Sequence, residues 1–518
     1  MKSNVTYPPP LKPRSRLRRL CLWGCGLTLS ALVLAAVLFT AAWIFLGRVP
    51  KSYPGAEHPM EPVWASSPRT NFPAGFDSPY LGHTGSWDGK GGGMFGMSKV
   101  NDLELEARMG LRWTFMPVYW RALEPDGPVD LQRGIPPAWQ ELDEFVLEAQ
   151  KRGLNILMQA PVIGGNAGGP PQWAGRREKS KSAPADMDSA AVFAGKLAAR
   201  YAPGGTLAAR EGWGNSFGVR AWEIDNEPDS YLTHWKGQVA DYAEFVTKIS
   251  RAIKRVDPSA LVLAPATPVS KSSLAWIAAA LDPLSAPSSP ALRSRSQGWS
   301  IGPEIDVVSF HIYEGLDSAF SGKDRDIELA FGEIRAVFER AESSSQGFAF
   351  ARKREYWQTE GNFDFLGILS APRRAAWRMQ FMTRAFAAGV AKVCVMDASR
   401  PEQAAIRTYI EALSNPFPMR RMSNQVDVIS GRATVFWHPD HDQSAPDSGG
   451  VWVLWAEAGT GNATVSVPVR RAETIIRQAD GASQVAPSVK GRVTIELHGD
   501  AKMAPPVLVI DCPPAPRL

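Results

Sequence analysis

Cysteine is scarce in this sequence. Four cysteines in 518 residues, two of them (Cys21 and Cys25) inside an apolar run, leave no disulfide framework. The geometry a disulfide requires disfavours a bridge between Cys394 and Cys512. No Cys/His cluster has metal-ligand spacing, so neither a metal nor another cofactor is expected. A charge excess is also missing. The 57 basic and 52 acidic side chains leave a net +5, and several of those charges sit at the N-terminus, so no nucleic-acid partner is expected. No glycine-rich phosphate fingerprint follows the first strand. "GKGGGMFG" at 89–96 lacks the flanking strand and helix of a dinucleotide site and reads as a flexible rim loop. There is no internal repeat.

Tryptophan, by contrast, is plentiful. The 18 indoles suit core packing but also stack on sugar rings. The length allows two or three domains, and 44% hydrophobic with 21% charged residues is ordinary for a globular chain.

Residues 1–19 form a basic tail carrying Lys2, Lys12, Arg14, Arg16, Arg18 and Arg19. Residues 20–47, "LCLWGCGLTLSALVLAAVLFTAAWIFLG", carry no charge. As a helix they extend roughly 42 Å, enough to cross a bilayer with some tilt. The run is longer than a signal-peptide core, although "FTAAW" resembles a cleavage site. The basic flank predicts a single-pass anchor with the tail in the cytoplasm and the remainder outside, periplasmic if the source is bacterial. Residues 48–75, rich in Pro, Ser and Ala, read as a linker.

From 76 to 415 short apolar runs alternate with helical stretches. Strands are predicted near Tyr80–His83 and over 112–116, 155–159, 220–224, 261–264, 306–310, 355–359 and 392–396. Helices are predicted over 100–109, 139–153, 189–201, 240–255, 273–281, 324–342 and 373–388. This alternation predicts an α/β chain folded as a (β/α)8 barrel. Residues 416–518 change pattern: six short strands (432–437, 451–456, 463–469, 473–478, 492–497 and 506–510), with a hairpin signal at "ADGAS" (479–483), predict a C-terminal β-sandwich.

In such a barrel the chemistry lies where strands end. The fourth strand runs into "AWEIDNEPDS" (221–230), the sixth through "SFHIYE", and the seventh into "YWQTEGN". Glu227 and Glu360 would then face each other across the barrel mouth. Cleaving an acetal needs this pair: an acid for the leaving oxygen and a carboxylate for the anomeric carbon. Each charge raises the pKa of its neighbour, which keeps one of them protonated. Glu223, Asp225 and Asp229 read as supporting or solvated residues. Trp222, Trp357 and Trp377 read as core.

"WEIDNEP" and "YWQTEGN" together resemble glycoside hydrolase clan A, the retaining (β/α)8-barrel glycosidases. The anchor and sandwich look most like family 39 and its exopolysaccharide-processing relatives. The resemblance implies Glu227 as acid/base, Glu360 as nucleophile and Asn226 as ligand of the sugar 2-hydroxyl. It also implies substrate contacts from His311, Tyr313 and Trp120. Two positions depart from the pattern. Phe115 stands where many members carry an arginine, and Met396 and Asp397 stand where many carry a tryptophan. The implied function is a retaining, endo-acting hydrolase of a polysaccharide related to exopolysaccharide, with the assembly machinery of that polymer as a possible partner. The alternative is an inactive sugar-binding scaffold. The long segment 160–188 carries Trp173 as a proposed sugar platform, and its Arg176, Arg177, Lys179 and Lys181 are suited to acidic groups.

Overall fold

The computed structural model describes residues 72–82, 100–163, 169–177, 183–229, 235, 239–281, 299–312, 327–344, 354–361, 370–395, 400–422, 426–439, 449–501 and 503–511. Eight parallel strands close a barrel in chain order. They are β1 (Tyr80–Gly82), β2 (Trp113–Tyr119), β3 (Asn155–Val162), β4 (Ala221–Glu223), β5 (Leu261–Pro268), β6 (Val307–His311), β7 (Glu355–Glu360) and β8 (Lys392–Val395). Leu81 of β1 pairs with Trp113 on one side and Cys394 on the other, which completes the ring. The strands read as continuous apolar runs because helices cover one face and the barrel interior the other; all eight residues of β3 are buried.

The helices are α1 (Val100–Arg108), α2 (Trp120–Leu123), α3 (Pro137–Lys151), α4 (Met187–Tyr201), α5 (Thr206–Glu211), α6 (Val239–Val256), α7 (Lys271–Leu281), α8 (Ile327–Ser344), α9 (Ala371–Ala388) and α10 (Arg400–Ala412). Local chemistry sets several ends. Pro137 opens α3, where a missing N–H costs nothing. Asp186 caps α4 by accepting the Asp188 N–H at 2.9 Å. Gly389, at φ 99°, stops α9. All seven expected helices are present. The short α2 and α5 and the final α10 were not delimited by the sequence pattern, the first two because one or two turns carry too little periodicity.

The C-terminal sandwich has two antiparallel sheets. One orders β10 (Asp427–Ser430), β13 (Ala463–Pro468) and β16 (Arg492–Leu497). The other orders β15 (Ser483–Pro487), β14 (Glu473–Gln478), β17 (Val507–Ile510), β12 (Gly450–Ala456), β11 (Ala433–Pro439) and β9 (Arg420–Arg421). The six expected strands are joined by β9, β10 and β15. All four residues of β10 are exposed, so no apolar alternation marks it. The β14–β15 hairpin sits where "ADGAS" signalled it. The sandwich is fastened to α9, where Arg373 Nη2 meets Asp500 Oδ2 at 3.0 Å and Gln380 Nε2 donates to the Ala504 carbonyl at 2.7 Å. Among the described residues no helix is long and apolar enough to cross a membrane. The apolar run 20–47, the loop 89–96 and Cys512 lie outside the described residues; Cys394 is buried as a free thiol.

At the end where the strands begin, one cation plugs the barrel. Lys392 is 1% exposed. Its Nζ donates to the carbonyls of Phe76 (2.7 Å) and Ser78 (2.6 Å). It also sits 4.8 and 5.0 Å from the ring centres of Trp113 and Trp357, which meet edge-on at 5.4 Å. β2 and β7 are not neighbours in the sheet, so these rings touch through the interior. Lys392→Met removes the cation–π contacts and takes the donor from the Ser78 carbonyl, while the Phe76 carbonyl keeps the Trp113 indole N–H at 3.0 Å. A destabilisation of about 3 kcal/mol is expected, measured as a fall in the denaturant midpoint at unchanged slope.

Candidate active site

Each of the four carboxylates at the end of β4 has its own partners. Glu223, the last strand residue, is fully buried. Its Oε2 accepts from Gln159 Nε2 (2.8 Å) and its Oε1 from Thr359 Oγ1 (2.8 Å). Asp225 is also fully buried. It ties down two neighbouring segments by accepting the Ile163 N–H (3.1 Å) and the Trp235 indole N–H (2.8 Å). Asp229 accepts the Thr267 hydroxyl. That leaves Glu227, whose backbone N–H donates to the Ala266 carbonyl at 2.9 Å and whose side chain enters the mouth. None of the other three is a solvated turn residue; all support the segment.

The backbone here is strained. Asp225 (φ 60°), Glu227 (φ 44°) and Ala266 (φ 50°) all occupy the left-handed region, at about 1–2 kcal/mol each for an L residue. Such conformations persist only where surrounding bonds over-determine them, as the partners of Asp225 and Glu227 do.

Glu227 and Glu360 meet at His311. The imidazole, fully buried, holds its Nδ1 3.0 Å from Glu227 Oε1 and 3.8 Å from Glu360 Oε2. The three side chains each present a ligand-type atom within 4.8 Å of the others. Burial pushes the His311 pKa down, but the Glu360 charge, the Glu227 hydrogen bond and the Glu223 charge overcome it and raise the value to about 9. Burial is the main cause that raises Glu227. The His311 hydrogen bond and charge pull it back, while Glu360 and Asp229 push it further up. The cluster has the donor types of a cation site, and a cation there would have to displace the imidazole proton. The arrangement sets two carboxyls against one imidazole and moves Glu227 toward its protonated form.

Asn226 stands next to the pair. Its Oδ1 accepts from Gln159 Nε2 at 3.2 Å, which orients the amide and leaves Nδ2 for a ligand. The sequence pattern did not reveal Gln159 or Thr359, since neither residue type signals a site. It also missed Tyr119, the last residue of β2. Burial first, and then the Glu360 charge, raise its phenol pKa. Phe115, the position lacking arginine, is buried core.

One aromatic expectation changes. Trp120 is fully buried, stacked on Phe193 at 5.7 Å, with its indole N–H on Glu124 Oε2 at 3.0 Å. It is a packing residue with no face left for a sugar. Trp173 is partly buried, edge-on to Trp120 at 5.4 Å, and donates to the Glu124 carbonyl at 2.7 Å. Arg177 does not face outward, because it pairs with Asp241 (2.6 Å) and Glu244 (2.8 Å) of α6. Tyr313, Lys179, Lys181, Met396 and Asp397 lie outside the described residues.

Three solved structures share this fold over a span longer than the barrel. A glucosidase from Croceicoccus marinus is 14% identical with a TM-score of 0.51, covering 88% of this chain and 98% of its own. CelM2, a bifunctional glucanase-xylanase from a metagenome library, is 13% identical with a TM-score of 0.51, at 88% and 98%. AbfB, a family 51 α-L-arabinofuranosidase from Bifidobacterium longum, is 14% identical with a TM-score of 0.51, at 85% and 96%. The fold expected from the resemblance to clan A is therefore the fold observed. No family model and no curated protein matches the chain.

The folded value of about 9 for His311 lies above the ordinary 6.5. Its ion pairing therefore contributes stability that is complete below about pH 6.5 and is lost as pH rises through about 9. The Tm gap between the native protein and His311→Asn is expected to be widest near pH 6 and to narrow by about pH 10. A gap independent of pH would show that the imidazole is neutral in the fold.

Proposed function

We propose that this chain is a retaining glycoside hydrolase in which Glu227 is the acid/base and Glu360 the nucleophile. The observation that carries this reading is the approach of their oxygens to within 4.8 Å. Retaining enzymes hold their carboxyls about 5–5.5 Å apart, whereas inverting enzymes leave about 6.5–9.5 Å for a water. The raised pKa of Glu227 suits the residue that must arrive protonated.

In the first step Glu360 attacks the anomeric carbon. The glycosidic C–O bond breaks, and its oxygen takes the Glu227 proton. The product is a glycosyl ester on Glu360. In the second step Glu227, now ionised, takes a proton from water, the water oxygen attacks the anomeric carbon, and the ester breaks. His311 limits the repulsion between the two carboxylates when both are ionised. Asn226, held by Gln159, offers its Nδ2 to the sugar 2-hydroxyl.

The substrate we propose is a polysaccharide, cut internally outside the cytoplasm by an enzyme tethered through residues 20–47. The support is the uncharged run with its basic flank and the long segment between β3 and α4. The fold does not choose the sugar, since barrels of this kind carry many chemistries through their loops.

A 2-deoxy-2-fluoro glycosyl probe is expected to label Glu360. A folded protein unlabelled across a broad panel points instead to a sugar-binding scaffold. Glu227→Gln and Glu360→Gln should each lower kcat by about 10³-fold or more with the fold intact. Azide should rescue Glu227→Ala with retained configuration and Glu360→Ala with inverted configuration; the opposite stereochemistry would exchange the roles. A reporter fused after Leu518 should read out on the extracytoplasmic side, and a cytoplasmic signal refutes the tether.

A further inference from the structure

We infer that Glu223 is the positioning residue of this site, a single buried carboxylate that fixes Asn226, Glu227 and Glu360 together through hydrogen-bonded arms on β3 and β7 and a contact with Ser309 of β6. The inference rests on the glycosidase reading for the roles of those three residues, but the arms through Gln159 and Thr359 are geometry.

The first arm runs through β3. Gln159 Nε2 has two hydrogens; one goes to Glu223 Oε2 at 2.8 Å and the other to Asn226 Oδ1 at 3.2 Å. The carboxylate therefore decides which way the Gln159 amide faces, and that amide decides which way Asn226 faces. The second arm runs through β7. Glu223 Oε1 takes the Thr359 hydroxyl at 2.8 Å, and Thr359 immediately precedes Glu360. The contact with Ser309 leads on from β6 to β5. The Ser309 hydroxyl lies close enough to Glu223 to lower the pKa of its carboxyl. The same oxygen accepts the Ala266 N–H at 3.0 Å, and the Ala266 carbonyl accepts the Glu227 N–H at 2.9 Å. The left-handed turn at Ala266, φ 50°, accompanies this double use of one residue, its N–H on Ser309 and its C=O on Glu227.

Glu223 has no exposed surface, so it acts only through these neighbours. Its chemistry explains the residue type. A carboxylate accepts from several donors at once, whereas an amide offers one oxygen and turns an N–H2 group toward groups that are themselves donors. Burial raises its pKa, and His311, Thr359, Ser309 and Gln159 lower it. A residue serving stability alone would need neither the charge nor arms that all end at the mouth.

In the full-length chain, Glu223→Gln is nearly isosteric and is expected to fold. Its kcat should fall about 100-fold, as for a small misplacement of reacting groups, with KM changed less than about threefold. Combining it with Gln159→Leu should cost less than the product of the two single losses, because both cut the same arm. A folded Glu223→Gln with kcat within about threefold of native, or a fully multiplicative double variant, overturns the inference. If Glu223→Gln does not fold, Thr359→Val severs one arm and Ser309→Ala the contact on β6, and each should lower kcat; unchanged kcat in both overturns it. If the native protein cleaves no glycoside, the glycosidase reading fails on its own. The hub is then read by hydrogen exchange: the Glu227 and Ala266 amides should exchange faster in Glu223→Gln while the sandwich is unaffected, and unaltered exchange at both amides overturns it.

Discussion

The closed barrel lets one carboxylate be shared across its interior, and the arrangement of the site depends on that sharing. Glu223 belongs to β4 and Thr359 to β7, strands separated by two others in the ring. They meet only because eight strands enclose a lumen about as wide as two side chains. An isolated buried charge is costly. Here donors from β3 and β7, the Ser309 hydroxyl and the positive His311 offset that cost. The geometry at the mouth thus inherits its precision from strand closure rather than from the loops, which are free to vary around it.

The same closure holds strain. Asp225, Glu227 and Ala266 sit at positive φ within one small region, and each is fixed by a bond to a different strand or segment: Ile163 after β3, Ala266 in β5 and Ser309 in β6. β4 is only three residues long because the chain leaves the sheet where these turns begin. Two carboxyls and an imidazole within 4.8 Å repel or attract by several kcal/mol if they are poorly screened. A rigid floor keeps that energy from being relieved by rotation of the side chains.

The barrel was legible in the sequence because burial on both faces makes each strand a compact apolar run, and because the seven expected helices between the strands were long enough to show their period; the final α10, of similar length, was not delimited. The strands at 155–159, 261–264 and 355–359 are all present as β3, β5 and β7. The one- and two-turn helices α2 and α5 and the exposed strand β10 were not legible, since a segment with little buried surface leaves little pattern. At the site, Glu227, Glu360 and His311 were readable from strand ends. Trp120 was misread because an aromatic residue at a strand end looks the same whether it faces a sugar or, as here, Phe193.

By itself, then, the sequence determined the order of elements, the two-part architecture of the described chain and the two glutamates at opposite strand ends, because these follow from local periodicity and from strands pointing the same way. Only the tertiary structure decided that "AWEIDNEPDS" is neither a solvated turn nor one catalytic group among spectators. Its four carboxylates reach four different sets of partners. Gln159, Thr359 and Ser309 become part of the site only when distant strands are brought across the lumen. Hydrogen bonds between residues such as Glu223 and Thr359, 136 positions apart, leave no trace in the spacing of one sequence, because they depend on where the barrel closes and not on what lies next along the chain.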